Sequence, residues 1–177
     1  GEEAAPEARA LAEGLEPARV LVGPEATTSA LREGGDGNRV IHLAARADFR
    51  SDNPMFSTLH LADGSLSLFD LYALKLGSEV VVLSGCGRDS ETPSDGDDWL
   101  GLARGLLYAG ARSLLLPLWN PPSEVRTELL AIFYRELESA PDRARALRRA
   151  MLEVRKRRRH PYFWASFVLV GDPGPPG

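Results

Sequence analysis

The chain has 177 residues, with 25 acidic and 21 basic side chains, a formal net charge of −4 and a single cysteine. This length is typical of one domain with its own core, and one cysteine excludes an internal disulfide bond. We see no apolar run of about 18 residues and no signal peptide, and the net charge gives no global case for nucleic-acid binding. We therefore expect a cytoplasmic single-domain protein spanning residues 1–177.

The first part of the chain alternates helical and strand-like segments. Helix-favouring composition predicts three helices, over residues 2–15, 26–33 and 66–74. Runs of branched apolar residues predict two short strands, over residues 18–22 (ARVLV) and 38–45 (NRVIHLAA). A hairpin is predicted at residues 62–64, Ala-Asp-Gly.

The stretch EVVVLSGCGRDS, residues 79–90, is the predicted centre of the sheet. Its four consecutive branched apolar residues, 80–83, indicate a strand that is buried on both faces. Gly85, Cys86 and Gly87 follow at its carboxyl end, which is where open α/β sheets bind ligands. A free cysteine is more often a small buried side chain than a nucleophile. The two flanking glycines leave Cys86 accessible, and this position favours a functional origin.

The second part of the chain continues the alternation. Predicted helices cover residues 99–109, 123–138 and 142–158, and predicted strands cover residues 111–119 and 163–170. The Gly/Pro-rich residues 171–177 are expected to form a mobile tail. Strands that alternate with helices indicate a three-layer α/β domain, with a mostly parallel sheet and helices on both faces. Such a sheet usually begins with a strand, so either a first strand lies upstream or another chain supplies it.

Five segments of the chain, taken in order and with their spacing, resemble the CHAT domain, a caspase-like cysteine peptidase fold often appended to tetratricopeptide repeats. These are IHLAAR (41–46), NPMFSTLHLADGSL (53–66), VVVLSGC (80–86), GLARGLLYAGARSLLLPLW (101–119) and HPYFWASFVLVGD (160–172). The resemblance implies a caspase-like fold over nearly the whole chain.

The resemblance also implies a catalytic pair, in which a histidine closes an H-x-A-x-H-G stretch and a cysteine closes a strand similar to L-S-A-C. Cys86 matches the nucleophile position. His42 and Ala44 match the opening of the histidine motif, but Arg46 replaces the catalytic histidine and Ala47 replaces the oxyanion-site glycine.

The rim of the implied substrate cleft departs from the family pattern as well. Gly85 and Gly87 flank the nucleophile position. Pro117 stands where a serine is usual before Leu-Trp, and Pro122 and Ser123 stand where paired acids are common. All the departures fall on the expected active-site rim, whereas the packing motifs behind it are retained.

Arg46 cannot perform the chemistry of the residue it replaces. A cysteine peptidase needs a group that activates the thiolate and then protonates the leaving amine. An arginine stays protonated near neutral pH and is a poor proton donor. We predict that His42 is a hydrogen-bonded core histidine and that His160 caps a helix end. The histidines and the cysteine match no zinc pattern, and we expect neither metal nor cofactor.

Two charged runs have simple structural explanations. The acidic residues of segment 88–98 depart from the spacing of calcium loops, so a solvated loop is favoured over a calcium or basic-peptide site. The basic run at residues 155–159 suits the negative end of a helix dipole and is weak evidence for nucleic-acid binding.

Three functions remain open. The first is a catalytically inactive pseudopeptidase that binds a protein or peptide, such as an active CHAT relative or a tetratricopeptide-repeat protein, with neither nucleic acid nor membrane as partner. The second is an active cysteine endopeptidase with Cys86 as nucleophile and an unorthodox base. The third is a thiol-reactive sensor in which Arg46 and Arg88 lower the pKa of Cys86.

Overall fold

The computed structural model describes residues 5–15, 17–48, 50, 53–84 and 100–175. The helices are α1 (Ala5–Ala12), α2 (Thr28–Gly34), α3 (Leu68–Tyr72), α4 (Leu100–Tyr108), α5 (Ser123–Ser139), α6 (Arg143–Arg157) and α7 (Pro161–Trp164). The strands are β1 (Val40–Ala44), β2 (Ala47–Asp48), β3 (Thr58–Leu61), β4 (Gly64–Ser67), β5 (Val80–Ser84), β6 (Ser113–Pro117) and β7 (Phe167–Gly171).

The main sheet has four strands in the order β1-β5-β6-β7. Strands β1, β5 and β6 are parallel, and β7 is antiparallel to β6. Every residue of β5 and β6 is buried, as their uninterrupted apolar sequences predicted. This confirms the predicted central strand and the mostly parallel sheet.

Helices cover both faces of this sheet, which confirms the three-layer α/β prediction. Alternate side chains of β5 point to opposite faces, so Val81 and Leu83 join one core and Val80 and Val82 the other. The first core includes residues of α2, α3 and α4, and the second includes residues of α1, α5 and α6. No helix in the described part of the chain is long and apolar enough to cross a membrane.

A small second sheet lies between β1 and α3 in the chain. Its antiparallel strands have the order β2-β3-β4, and the predicted hairpin at residues 62–64 joins β3 to β4. Ser67 then caps α3, because its hydroxyl accepts a hydrogen bond from the Asp70 N–H. Arg46, the residue at the expected catalytic histidine position, directly precedes the first strand of this sheet.

Two strand predictions were wrong in detail. Residues 18–22 form no strand, because no described strand pairs with them even though Val22 has extended angles, φ −130° and ψ 151°. Branched apolar residues favour extended backbone, but a strand also needs a hydrogen-bonding neighbour. Residues 163–164, predicted to open the last strand, instead end α7, and that strand begins at Phe167.

The described residues of the predicted C-terminal tail, 171–175, include several that form hydrogen bonds with the rest of the domain. Gly171 is the last residue of β7, and the Pro173 carbonyl accepts hydrogen bonds from the Arg143 and Ala144 N–H groups. The buried Arg143 side chain adds an ion pair to Asp172 at 3.0 Å. Backbone and side-chain bonds together hold residues 171–174 against the start of α6.

Candidate functional site

The two positions of the expected catalytic pair follow neighbouring parallel strands. In the register of β1 and β5, Ala44 stands opposite Ser84. Arg46 comes two residues after Ala44, and Cys86 comes two residues after Ser84. Cys86 and its flanking Gly85 and Gly87 lie outside the described residues, as does the acidic segment 88–98. The described part of the site therefore consists of the residues around Arg46 and the buried residues at the ends of β1 and β5.

Arg46 projects into solvent and is engaged by a carboxylate. Its side chain is 77% exposed. Its Nε and Nη2 atoms donate to the same oxygen of Asp48, at 3.1 and 3.0 Å. Asp48 is two residues along the chain, so alternation in β2 brings both side chains to one face of the small sheet. The guanidinium at the histidine position thus forms a local ion pair.

Ala47 has the opposite environment. It lies in β2 opposite Leu59 and is only 3% exposed. Its methyl group is part of the core beside α3 and α4. The residue that replaces the expected oxyanion-site glycine therefore contributes to packing.

His60 lies on β3, directly beside Arg46 across the small sheet. Its backbone N–H donates to the Arg46 carbonyl at 2.9 Å, so the two side chains are cross-strand neighbours. The Nε2 atom of His60 lies 2.7 Å from Asp48 Oδ2, and its Nδ1 atom lies 2.8 Å from the Ser65 hydroxyl. The hydrogen bond from His60, joined by that from Arg46, lowers the pKa of Asp48.

No sequence pattern predicted that Asp48 and Ser65 would bind His60. The order serine, histidine, aspartate is that of hydrolase triads. Here strand register alone accounts for it, because Ser65 is the residue opposite His60 in the β3–β4 pair. The arrangement orients an imidazole at the edge of the expected catalytic site.

His42 is a hydrogen-bonded interior histidine, as predicted. Its Nδ1 atom lies 2.5 Å from the Tyr134 hydroxyl, and its Nε2 atom lies 2.6 Å from the Ser84 hydroxyl. Ser84 in turn donates to Glu7 Oε1 at 2.6 Å, and Arg126 Nε donates to Glu7 Oε2 at 2.6 Å. We call these five residues, from α1, β1, β5 and α5, the Glu7 network.

The donors and acceptors of the Glu7 network form a consistent hydrogen-bond pattern. An ionised carboxylate only accepts, so the Ser84 proton points to Glu7 and the Ser84 oxygen accepts from His42 Nε2–H. The remaining ring nitrogen, Nδ1, accepts a hydrogen bond from the Tyr134 hydroxyl in this pattern. Every bond of the Glu7 network is satisfied in this pattern, and both ring nitrogens of His42 are occupied.

Glu7 holds its charge although its side chain is only 4% exposed. Burial raises the pKa of this carboxyl, but His42, Ser84 and Arg126 together outweigh burial and bring the pKa to about 2. Burial, with the negative charge of Glu7, raises the pKa of Tyr134 well above its ordinary value. The network therefore keeps Glu7 ionised and Tyr134 protonated through the neutral pH range.

The described residues of the predicted rim lie at the carboxyl end of β6 and in the segment that follows it. Pro117 is the buried last residue of β6, and Pro122 and Ser123 are exposed at the start of α5. The Pro122 carbonyl accepts the Val125 and Arg126 N–H groups, so this pair begins the helix. His160 is a helix cap as predicted, but it caps the start of α7, where its Nδ1 accepts from the Tyr162 N–H at 3.2 Å.

Comparison with known families agrees with this architecture. The model of the CHAT domain family matches residues 2–172. The chain belongs to the CHAT domain family. Its mostly parallel sheet with helices on both faces is the caspase-like fold of these domains, as the sequence motifs implied.

Two relatives of this CHAT domain are tetratricopeptide repeat protein 28 from Homo sapiens and from Mus musculus. Each is 32% identical over 109 residues, which is 60% of this chain and 4% of the relative. The CHAT domain described here thus matches a small part of much longer proteins.

Sequence reasoning missed the Glu7 network of the CHAT domain. Ser84 gave one signal, because a serine that ends a run of buried apolar residues needs a partner. Glu7 gave none, since a glutamate in an Ala-rich helix is ordinarily solvated. Its partners are 35 to 127 positions away, as residues 42, 84, 126 and 134 show.

Proposed function

We propose that this CHAT domain is a catalytically inactive pseudopeptidase module that acts in protein–protein interaction or regulation. The observation that carries the proposal is the environment of Arg46. The motif resemblance assigns Arg46 to the family's histidine position, and its permanently charged guanidinium is bound to Asp48. It cannot accept the thiol proton or deliver one to a leaving amine at neutral pH.

Two of the three histidines are unsuited to replace it. His42 uses both ring nitrogens inside the Glu7 network, on the buried side of the sheet edge. His160 caps α7. Both therefore have structural roles, which supports loss of the acid–base function rather than its transfer to either of them.

The interaction role draws support from the relatives. Both are named tetratricopeptide repeat proteins, and we propose that the partner is a protein or peptide, such as an active CHAT relative or a tetratricopeptide-repeat protein. Pro117, Pro122 and Ser123 would then shape a binding cleft that no longer serves hydrolysis. The single cysteine favours a reducing, cytoplasmic setting.

One observation favours a second candidate, an active cysteine endopeptidase with His60 as base. The imidazole lies on the strand beside Arg46 and is oriented by Asp48 at 2.7 Å, as a catalytic base is oriented by its carboxylate. Ser65 occupies the other ring nitrogen at 2.8 Å. Because Ser65 already binds this nitrogen, we favour the inactive pseudopeptidase over the active endopeptidase.

The third candidate, a thiol sensor, loses part of its support. Arg46 was expected to lower the pKa of the Cys86 thiol, but Asp48 balances its charge with an ion pair at 3.0 Å. An ion pair has a weaker field at a distance than an isolated cation.

The pH dependence of Cys86 alkylation separates the three candidates. An unassisted thiol should react with one titration near its ordinary pKa of about 8.5, and His60→Ala should change nothing. A reactive plateau below neutral pH that His60→Ala removes would favour the peptidase. A low pKa that persists in His60→Ala but rises in Arg46→Met would favour the sensor. His160→Ala is the matched histidine control.

A further inference from the structure

Helix α6 carries a stripe of cations on its solvent face. Arg145, Arg148 and Arg155 are exposed, and so is Leu152, which is 39% exposed. Their spacings of three, four and three residues place them on one face of a helix. The stripe is about 15 Å long at 1.5 Å per residue. We call these four residues the α6 stripe.

The opposite face of α6 explains its orientation. Ala146, Leu147, Ala150 and Val154 are buried in the core shared with α5. Burial of this face leaves the α6 stripe on the solvent-exposed side of the helix. The stripe is thus a surface with fixed geometry, carried by a helix that is anchored along most of its length.

The arginines of the α6 stripe differ from the other cations of this helix. Those others form ion pairs: Arg143 with Asp172, Arg149 with Glu136, Lys156 with Glu153, and Arg157 with Glu128. Within the part of the chain that the structure describes, the stripe arginines have no carboxylate at ion-pair distance. Arg155 instead lies over the Trp164 ring, 5.6 Å from its centre.

The helix dipole explains the cation at the C-terminal end of the α6 stripe, Arg155, but not the one at its N-terminal end. Cations stabilise the last turn of a helix and are unfavourable in the first turn. Arg145 lies in the first turn of α6, which contains no acidic residue. The Asp142 carboxylate caps this turn by accepting the Arg145 N–H at 2.8 Å. Among the described residues no ion pair joins their side chains, so the Arg145 guanidinium is available to an external anionic partner.

Leu152 gives the stripe an apolar centre. It also lines a shallow groove of about 340 Å³ between α5 and α6, together with Ile132 and five charged residues, Arg135, Glu136, Arg149, Glu153 and Lys156. A partner that places one apolar side chain against Leu152 and carboxylates on either side would match both features. Phosphate backbones offer no such apolar group, and the domain's net charge of −4 opposes general nucleic-acid binding.

The geometry points to a docking surface for an acidic helical segment of a partner protein, formed by Arg145, Arg148, Leu152 and Arg155. The segment would carry Glu or Asp at one-turn spacing with one central apolar residue. Helices present side chains at this same spacing, so the carboxylates can face successive arginines. This surface lies outside the catalytic positions, and the inference holds whether or not Cys86 is active.

The test uses a fluorescent, end-capped peptide about 18 residues long, long enough to form helix. It carries Glu at the stripe spacing and a central Leu, and binding is followed by fluorescence anisotropy. The unmodified domain should bind, and binding should weaken between about 50 and about 300 mM NaCl because the contacts are exposed ion pairs. A peptide of the same composition with scrambled spacing should bind more weakly.

Charge reversal of the stripe provides the decisive comparison. Exposed ion pairs each contribute a factor of roughly two to five, so Arg145→Glu, Arg148→Glu and Arg155→Glu together should weaken binding at least about tenfold. Arg9→Glu, Arg19→Glu and Arg104→Glu, at exposed positions elsewhere, change the net charge equally and should keep affinity within about twofold. Circular dichroism checks folding, and Leu152→Ser tests the apolar centre without a charge change.

Three results would overturn the inference. These are no binding by the unmodified domain at low salt, equal losses in the stripe and control variants, and stripe-dependent binding of single-stranded DNA or phosphatidylserine vesicles that exceeds binding of the peptide. Cleavage activity of Cys86 would contradict the pseudopeptidase proposal and leave this binding unchanged, so the two failures are distinguishable.

Discussion

Replacement of Glu7 by glutamine tests the Glu7 network, which lies beneath the expected catalytic edge. The change keeps the side-chain shape but removes the charge that Arg126 and Ser84 bind. The pKa of Glu7 falls from 4.5 to about 2 in the folded protein. Each pKa unit corresponds to about 1.4 kcal/mol, so the ionised group contributes about 3 kcal/mol to the free energy of unfolding at neutral pH.

The sign of the pH dependence follows from the lowered pKa. The contribution is complete above the unfolded value of 4.5 and is lost as the pH falls towards 2. About 2 kcal/mol of it should be gone near pH 3. Glu7→Gln should therefore be about 3 kcal/mol less stable than the parent near pH 7, and only about 1 kcal/mol less stable near pH 3.

Urea unfolding at several pH values, followed by tryptophan fluorescence and circular dichroism, measures this difference. Coincident transitions would support the two-state treatment. Glu138→Gln, at an exposed position near the end of α5, is the control and should match the parent throughout. An equal gap between parent and Glu7→Gln at neutral and acid pH would refute the assignment of the charge to Glu7.

Three further outcomes follow from the same contacts. Ser84→Ala should cost about 2 to 3 kcal/mol of unfolding free energy, measured in urea, because it leaves two buried network partners unsatisfied; a loss below about 0.5 kcal/mol would contradict this bond pattern. Gly171→Ala should destabilise the domain in a thermal melt, since φ is +104° and a Cβ would lie 2.6 Å from a backbone oxygen; an unchanged midpoint would contradict that close approach. Arg46→His with Ala47→Gly should speed Cys86 alkylation below neutral pH, while loss of the buried methyl costs about 1 to 2 kcal/mol; an unchanged profile in a folded variant would mean that positions 46 and 86 do not face each other.

A strand of the sheet was predictable from sequence where its residues can be buried in only one kind of position. Residues 80–83 are apolar on both faces, and only a central strand buries both. Residues 18–22 have a similar composition, but strand formation there depends on a neighbour that local sequence does not reveal. The short helix at Pro161–Trp164 was missed because its aromatic residues also favour strands.

The candidate site likewise has features that the sequence predicts and features that depend on packing. The substitution at Arg46 was visible in the motif, and its consequence for acid–base chemistry follows from the guanidinium itself. The environment of His60 was not visible, because Asp48 and Ser65 reach it only through the register of three short strands. The Glu7 network joins four elements and depends on their packing, so no local pattern predicts it.

A pseudopeptidase, as proposed for this CHAT domain, does not hydrolyse peptide bonds. The most direct measurement incubates a diverse denatured protein pool with the domain and identifies new peptide termini by mass spectrometry, with Cys86→Ala as the matched control. We expect the two samples to contain the same termini. Reproducible termini that the parent produces and Cys86→Ala does not would contradict this expectation, and their loss in His60→Ala would identify His60 as the base.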